Sequence, residues 1–426
     1  MSDTARSRET EILNLLDFDD VDAIDDRIHS LIDRNRQIHD YDCINLNPAS
    51  NVMNPRAEKA LSCGLTTRAS LGHPGEKYEM GLEAIEEIEV IAAELARAVF
   101  GSAHVELRVP SGAIANLYAF MATCEPGDAI LVPSPDIGGH VTHRHGGAAG
   151  LYRLDIHEYP SDPTTFSADL AGLAKLAEQV KPKLITIGTS LNLVAHPVEA
   201  IREIADSTGA FVLFDAAHAC GMFAGGVWSN PLDNGADLMT MSTYKSLGGP
   251  AGGIVATNRD DLAAKIDAIA YPGLTANFDV SVTTALAITL LDWKTVGAKY
   301  AAMMVANAQA LAAELERRGV PVFKTSSGHT TSHQFAIDAT RWGGGDEAAR
   351  HLARANLLTS AIGLPGDVSS GLRFGTPEIT RIGMVPDDMR RLAQLIADAF
   401  LSTPESVACS VSEFRRRFDS VHFVRH

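Results

Sequence analysis

A lone lysine, Lys245, stands between an apolar run at 238–241 and a turn rich in glycine and proline at 248–253. Ser242 and Thr243 place hydroxyl groups beside it, and no other charged residue occurs between positions 238 and 258. Desolvation lowers the pKa of an amine, and a neutral amine can form a Schiff base with a carbonyl. The pattern therefore predicts a lysine that binds pyridoxal phosphate (PLP), with an ordinary surface lysine as the alternative.

Two more polar side chains follow or interrupt apolar runs. Asp215 ends the run 211–214, which predicts a partly desolvated carboxylate at a strand end. A protonated pyridine nitrogen would satisfy such a carboxylate, although a helix cap would do so equally well. Arg373 lies on a short strand between glycines at 371 and 375. Its planar guanidinium is a candidate for binding a substrate carboxylate, and a structural ion pair is the alternative.

A small-residue turn follows the apolar run 105–109 and opens a helical pattern at Ser111, Gly112 and Ala113. Free backbone N–H groups and the helix dipole make such a turn a phosphate site, to which Ser111 adds a hydroxyl group. The same residues also suit a plain N-cap. The lysine of a Walker loop is absent.

Three histidines, His140, His143 and His145, lie in a glycine-rich loop. A metal site there is disfavoured because no thiolate is near and Asp136 is the one close carboxylate. An imidazole at His140 could instead stack on a flat cofactor. We therefore predict no metal.

Short apolar runs alternate with helical patterns from about residue 42 to 270, which predicts an α/β fold with a mostly parallel, doubly wound sheet. The predicted strands are 105–109, 129–132, 184–187, 211–214, 238–241 and 253–256, and the predicted helices include 82–100, 170–179 and 197–208. A helical stretch at 282–311 leads to further apolar runs at 335–339 and 371–374 and a helix at 387–400. We expect a helical arm at 1–41, a large domain at 42–280 and a smaller C-terminal α/β domain at 281–426.

The arm carries apolar residues at helical spacing between acids over 10–39, which predicts a helix there. Such a stripe must be buried on something. The candidates are a partner subunit and the arm's own domain.

The composition is that of an ordinary soluble enzyme, with 46% hydrophobic and 21% charged residues among 426. A formal charge of −17 without a basic stripe disfavours nucleic acid and anionic membranes as partners. The five cysteines form no CxxC pair, which predicts reduced thiols in the cytoplasm. The N-terminus is polar, and no run is long and apolar enough to cross a bilayer.

The order of these signals follows the layout of fold-type I PLP enzymes, and within that group the chain resembles the serine hydroxymethyltransferase family nearly end to end. The matching residues are 111–116, 138–143, 181–185, 215–218, 243–250 and 370–377. They are similar, in that order, to the family's Ser-Gly-Ser-Gln-Ala-Asn, Gly-Gly-His-Leu-Thr-His, Lys-Pro-Lys-Leu-Ile, Asp-Met-Ala-His, Thr-His-Lys-Thr-Leu-Arg-Gly-Pro and Ser-Gly-Ile-Arg-Ile-Gly-Thr-Pro.

The resemblance implies a role for each matching residue. It implies an internal aldimine on Lys245, Asp215 on the pyridine nitrogen, His140 stacked over the ring, and His218 at the phenolic oxygen. It also implies phosphate binding by Ser111, Gly112 and Ala113, a nearby hydroxyl group from Ser242, and substrate carboxylate binding by Arg373.

The substrate half of the site departs from the family pattern. Leu71 stands where the family has a glutamate that exchanges a proton with serine or folate, and leucine cannot transfer a proton. Glu79 falls at a family tyrosine and Tyr244 at a family histidine, and segments 49–51 and 272–277 also differ. These changes disfavour tetrahydrofolate as a co-substrate. Glu79, His73 and Tyr244 are the candidates to replace the missing proton-transfer group.

The function predicted from the resemblance is aldol-type cleavage or formation of the Cα–Cβ bond of a β-hydroxy or α-substituted amino acid. Transaldol transfer, racemisation, elimination and transamination are alternatives within PLP chemistry. A non-catalytic protein with the same fold and a metal-dependent hydrolase are alternatives from other classes. Because sites in the family borrow groups from a neighbouring subunit, the resemblance also implies a homodimer or a dimer of dimers.

Overall fold

The computed structural model describes residues 2–365 and 370–426. In these residues the strands are β1 Ile44–Asn45, β2 His104–Glu106, β3 Ala129–Pro133, β4 Asp155–Tyr159, β5 Ser161–Asp162, β6 Ser167–Ala168, β7 Leu184–Ile187, β8 Phe211–Asp215, β9 Leu238–Ser242, β10 Gly253–Thr257, β11 Gln334–Asp338, β12 Leu357–Leu358, β13 Ser360–Ile362 and β14 Gly371–Gly375.

The helices of the same residues cover both faces of the main sheet and form most of the chain's two ends. They are α1 Asp3–Leu13, α2 Val21–Arg36, α3 Pro55–Ala60, α4 Glu83–Phe100, α5 Gly112–Thr123, α6 Ala148–Leu151, α7 Leu170–Val180, α8 Val198–Thr208, α9 Cys220–Ala224, α10 Asp260–Ala268, α11 Val280–Arg317, α12 Gly345–Ala353, α13 Pro377–Arg381, α14 Met389–Leu401 and α15 Glu405–Arg415.

The main sheet has seven strands in the order β2-β10-β9-β8-β7-β3-β4. Strands β9, β8, β7, β3 and β4 are parallel, and β10 is antiparallel to both of its neighbours. All residues of β7 and β9 are buried. Strands covered on both faces have continuous apolar runs, and the runs in the sequence indicated six of the seven strands. Strand β4, which is partly exposed, was not predicted. The prediction of a mostly parallel α/β fold is confirmed.

The parallel strands bring two predicted site residues to one edge. Asp215 is the last residue of β8 and pairs with Thr240 of the adjacent β9. Strand β9 ends at Ser242, three positions before Lys245. Because carboxyl ends of parallel strands meet at one edge, the carboxylate and the amine lie on the same side of the sheet.

A second, three-stranded antiparallel sheet has the order β11-β14-β13 and follows the long helix α11 in the chain. Arg373 is buried at the centre of β14. The start of the chain also reaches this region, because β1 pairs with β12. The division at 41 and 280 into arm, large domain and small domain stays a prediction.

The arm consists of two helices, so the single helix predicted over 10–39 is wrong between α1 and α2. Helix α2 begins after Asp20, which caps it by accepting a hydrogen bond from Ala23 N at 3.0 Å. Neither helix has a buried residue. Many apolar residues of the arm, including Ile28, Leu31 and Ile32, are exposed within one chain, while Leu16 and Ile24 are half-buried.

All five cysteines are free. Among the described residues, none of the helices combines the length and apolar composition that a membrane span needs. The same residues contain no group of three or more His, Cys, Asp or Glu side chains arranged to hold a metal ion.

Candidate active site

Lys245 lies in the turn after β9 and is only 6% exposed. Burial lowers its pKa to about 8; the charge of Asp215 opposes this shift and that of Arg373 adds to it. Its Nζ lies 5.8 Å from the ring centroid of Tyr244. A larger share of this amine is therefore neutral near pH 7 than of an exposed lysine.

Asp215 accepts three hydrogen bonds at the end of β8. His143 Nε2 lies 2.9 Å and Asn116 Nδ2 lies 2.8 Å from its Oδ2, while Ala217 N donates to its Oδ1 at 3.0 Å. Burial alone would raise the pKa of Asp215. The hydrogen bond and charge of His143, the charge of His140 and the Asn116 hydrogen bond outweigh burial and hold the pKa well below its usual range. This carboxylate is therefore ionised at neutral pH.

Two predicted imidazoles lie close to these groups. His140 Nδ1 is 2.9 Å from Thr142 Oγ1, and burial lowers the pKa of His140 to about 4. Burial also lowers the pKa of His218 well below its usual value, and the charges of Lys245 and Arg373 act in the same direction. Both rings are neutral at pH 7.

Arg373 reaches the same region from the second sheet. Its Nη1 donates to Ser190 O at 2.6 Å and lies 3.4 Å from His218 Nε2, and its Nε donates to Ser360 Oγ at 2.8 Å. Burial lowers the pKa of Arg373 to about 10, and among the described residues no carboxylate forms an ion pair with it. A buried cation without an acidic partner is costly, so the side chain is suited to an anionic ligand.

The turn before α5 packs closely against the end of β9. A Cβ atom at Gly112 would lie 2.1 Å from Ser242 Oγ, so this approach requires glycine. Ser111 caps α5 by accepting from Ile114 N at 3.2 Å, and Ala113 is exposed on the first turn. The first N–H groups of α5 have no partner within the helix and can face a phosphate.

The environment of His218 tests whether the residues suit PLP. Gln334 Nε2 lies 3.3 Å from its Nδ1, and Arg373 Nη1 lies 3.4 Å from its Nε2, so hydrogen-bond donors face both ring nitrogens. A neutral imidazole carries one N–H, which these donors cannot accept. A phenolic oxygen of PLP would supply the acceptor. The buried amine of Lys245 and the ionised Asp215 are the other groups that PLP requires, so the residues fit this cofactor.

The structure does not bring every predicted substrate residue to this cluster. Tyr244 is half-buried beside Lys245. Glu79 accepts a hydrogen bond from Leu71 N at 3.3 Å, within the same turn, and this is its one described hydrogen bond. His73 Nε2 lies 2.9 Å from Asp267 Oδ1. Within one chain, Glu79 and His73 thus make no described hydrogen bond to Lys245.

Several residues of the cluster were not predicted from sequence. Asn116, His143, Gln334 and Ser360 support Asp215, His218 or Arg373 through the contacts given above. For His143 one sequence feature was available: it lies three positions after His140 in a short turn, which predicts that the two imidazoles lie near each other. Gln334 and Ser360 could not be predicted, since their contacts depend on how the second sheet packs.

Comparison with known proteins places this geometry in a family. The family model for serine hydroxymethyltransferase matches residues 21–396. An alpha-methylserine aldolase of Variovorax paradoxus is 58% identical over 402 residues, which cover 93% of this chain and 91% of that protein. A serine hydroxymethyltransferase of Methanopyrus kandleri is 37% identical over 406 residues, covering 93% and 95% of the two chains.

A solved structure supports the fold. The L-threonine transaldolase of Pseudomonas fluorescens, in its internal aldimine state, superposes with a TM-score of 0.86 at 21% identity and covers 99% of this chain and 96% of its own. At that identity the likeness establishes the fold-type I architecture. The family model and the curated relatives establish more: the chain belongs to the serine hydroxymethyltransferase family and is a PLP-dependent enzyme of the aldolase and transferase type.

Proposed function

We propose that this protein is a PLP-dependent aldolase that acts on a β-hydroxy amino acid with a substituent at Cα, of the α-methylserine type, without folate. The observation that carries the proposal is a site with an intact cofactor half and a substrate half that has Leu71 in place of an acid. The 58% identity to alpha-methylserine aldolase supports the substrate class.

We assign the cofactor contacts from the geometry. Lys245 would hold PLP, Asp215 would keep a proton on its ring nitrogen, and His140 would stack on the ring. His218 would donate to the phenolic oxygen, and Ser111, Gly112, Ala113 and Ser242 would surround the phosphate. When bound, PLP supplies an electron sink for the electron pair left at Cα as the Cα–Cβ bond breaks.

The substrate contacts follow from charge and position. Arg373 would bind the α-carboxylate and so orient the bond to be broken. Cleavage must remove the proton of the β-hydroxyl group, and the β-carbon with its oxygen leaves as an aldehyde. Cα must then gain a proton. For α-methylserine the products are formaldehyde and alanine. Because Leu71 cannot move a proton, we propose Tyr244, or Glu79 from a second copy of the chain, for this transfer.

The test is formaldehyde release from each enantiomer of α-methylserine by the PLP-loaded protein. We expect turnover in the absence of tetrahydrofolate. Glycine formation from L-serine with tetrahydrofolate should be at least about 10²-fold less efficient, because a general acid–base group typically contributes that much. Efficient glycine formation combined with no formaldehyde release would overturn the proposal and indicate a hydroxymethyltransferase.

We also propose that the enzyme is a homodimer or a dimer of dimers. The apolar stripe of α2 is exposed in one chain, with Ile28 at 52%, Leu31 at 46% and Ile32 at 53%. The turn with Leu71 and Glu79 makes no described hydrogen bond to Lys245, Asp215 or Arg373 of its own chain, and we propose that a second copy completes the substrate half of the site. A cytoplasmic location accords with the free thiols.

The assembly prediction concerns the arm. Changing Ile28 and Leu31 to glutamate should weaken self-association, because burying charges in an apolar interface is costly. Sedimentation velocity should then show a smaller species than the wild-type chain. A matched variant with glutamate at the exposed Ser30 and Arg27 should keep the wild-type size. A monomeric wild-type chain with full activity would contradict the prediction.

A further inference from the structure

Ser360 faces Arg373 across the antiparallel strands β13 and β14. Side chains of directly opposed residues lie on the same face of a sheet, so the register itself brings the two together. Ser360 Oγ accepts a hydrogen bond from Arg373 Nε at 2.8 Å. The serine is half-buried, whereas Arg373 is 9% exposed.

A third residue sets the orientation of the Ser360 hydroxyl group. Asn47 Oδ1 lies 3.1 Å from Ser360 Oγ and also accepts from Ala49 N at 3.1 Å. A carbonyl oxygen only accepts, so the hydroxyl hydrogen of Ser360 points to Asn47. The lone pairs of Ser360 are thereby turned to the Nε–H of Arg373.

A second contact fixes the other side of the guanidinium. Nη1 of Arg373 donates to Ser190 O, in the segment after β7, at 2.6 Å. Among the described residues Nη2 donates no hydrogen bond, and no carboxylate forms an ion pair with the guanidinium. The guanidinium is therefore held at Nε and Nη1 while its Nη2 remains available. A side chain held this way loses less entropy when a carboxylate binds.

We propose that Ser360, held by Asn47, is a positioning residue that orients Arg373 for the substrate α-carboxylate and so sets the preference for free amino acids. The inference rests on the proposed function in that it takes an amino acid as the substrate. Ser360 itself acts through Arg373 and not on the reacting atoms.

The test compares a carboxylate ligand with its amide. PLP-loaded wild type and Ser360→Ala are titrated with L-alanine and with L-alaninamide, and the dissociation constants are taken from the change in visible absorbance. Hydrogen bonds to charged groups are strong, so we expect the dissociation constant for alanine to rise about tenfold in Ser360→Ala. That for alaninamide should change less than about twofold. KM for the hydroxy amino acid should rise similarly, with kcat within about twofold.

Two further variants separate orientation from folding. Ser360→Thr keeps the hydroxyl group and should keep the wild-type ratio of the two constants, whereas Ser360→Cys should shift it as Ser360→Ala does. Thr359→Val is the matched control, because the buried Thr359 Oγ1 has no hydrogen-bond partner among the described residues. It should bind both ligands like the wild type.

The outcomes distinguish the inference from the proposed function. An unchanged ratio in Ser360→Ala, or an equal loss for alanine and alaninamide, would overturn the positioning role. So would a wild type to which neither ligand binds. The expected ratios together with no cleavage of any hydroxy amino acid would support the positioning role and refute the aldolase proposal.

Discussion

Replacing Asp215 with asparagine is expected to lower kcat for amino-acid cleavage by about 10³-fold, the scale seen when one preorganised electrostatic partner is lost. An amide has no charge to keep a proton on the cofactor's ring nitrogen. Its NH₂ group would also face hydrogen-bond donors in either orientation: His143 and Asn116, which lie 2.9 and 2.8 Å from Asp215 Oδ2, or Ala217 N, which lies 3.0 Å from Oδ1. Cofactor affinity should therefore fall as well.

The measurement is kcat at saturating PLP, together with the PLP dissociation constant of the apoprotein. Asp233→Asn, on the exposed surface, is the control and should match the wild type in both. A variant that bound PLP normally and kept more than about a tenth of the wild-type kcat would show that Asp215 only caps the following turn, the alternative reading of its sequence.

The position of Asp215 could be predicted from the sequence, because the carboxyl ends of parallel strands lie at one edge of the sheet. Apolar runs at 211–214 and 238–241 marked β8 and β9, and a polar residue just beyond such a run must lie at the carboxyl edge. The same reasoning placed Lys245. A strand that is buried on both faces requires consecutive apolar residues, so it can be recognised from a short stretch of sequence.

The partners of these residues could not be predicted in the same way. His143 is 72 positions from Asp215, and Ser360 is opposite Arg373 only because of the register between β13 and β14. Neither strand of that pair has an alternation long enough to fix the register in advance. Gln334 likewise reaches His218 only through packing of the second sheet on the first.

In the arm, a local pattern predicted a helix that is interrupted in the structure. Apolar residues continue at helical spacing through Leu15, Leu16 and Val21, so the periodicity predicted one helix. Helix α1 ends at Leu13, and Asp17 then accepts from Asp19 N in the connecting turn, because short carboxylates compete for backbone N–H groups and favour turns and caps over helix interiors. Asp20 does this for α2.

Replacing Lys245 with alanine is expected to abolish covalent attachment of PLP and to lower kcat by at least about 10⁴-fold, since the variant loses both a nucleophilic amine and a proton-transfer group. Non-covalent binding should persist through Asp215, the Ser111 turn and His140. The readout is the borohydride-reduced peptide map, which should carry PLP on Lys245 in the wild type and on no peptide in the variant. Lys294→Ala, exposed on α11, should behave like the wild type.

The burial of Lys245 adds a pH dependence that identifies its role. Burial lowers the pKa to about 8, so the neutral amine increases as pH rises through 8 and then levels off. At pH 7.5 roughly a quarter of such an amine is neutral, against about a thousandth for an exposed lysine. The rate at which PLP attaches to the apoprotein should therefore rise from pH 7 to 9 and plateau above that. A rate that kept rising to pH 10, or a Lys245→Ala protein with wild-type attachment, would refute the assignment of Lys245.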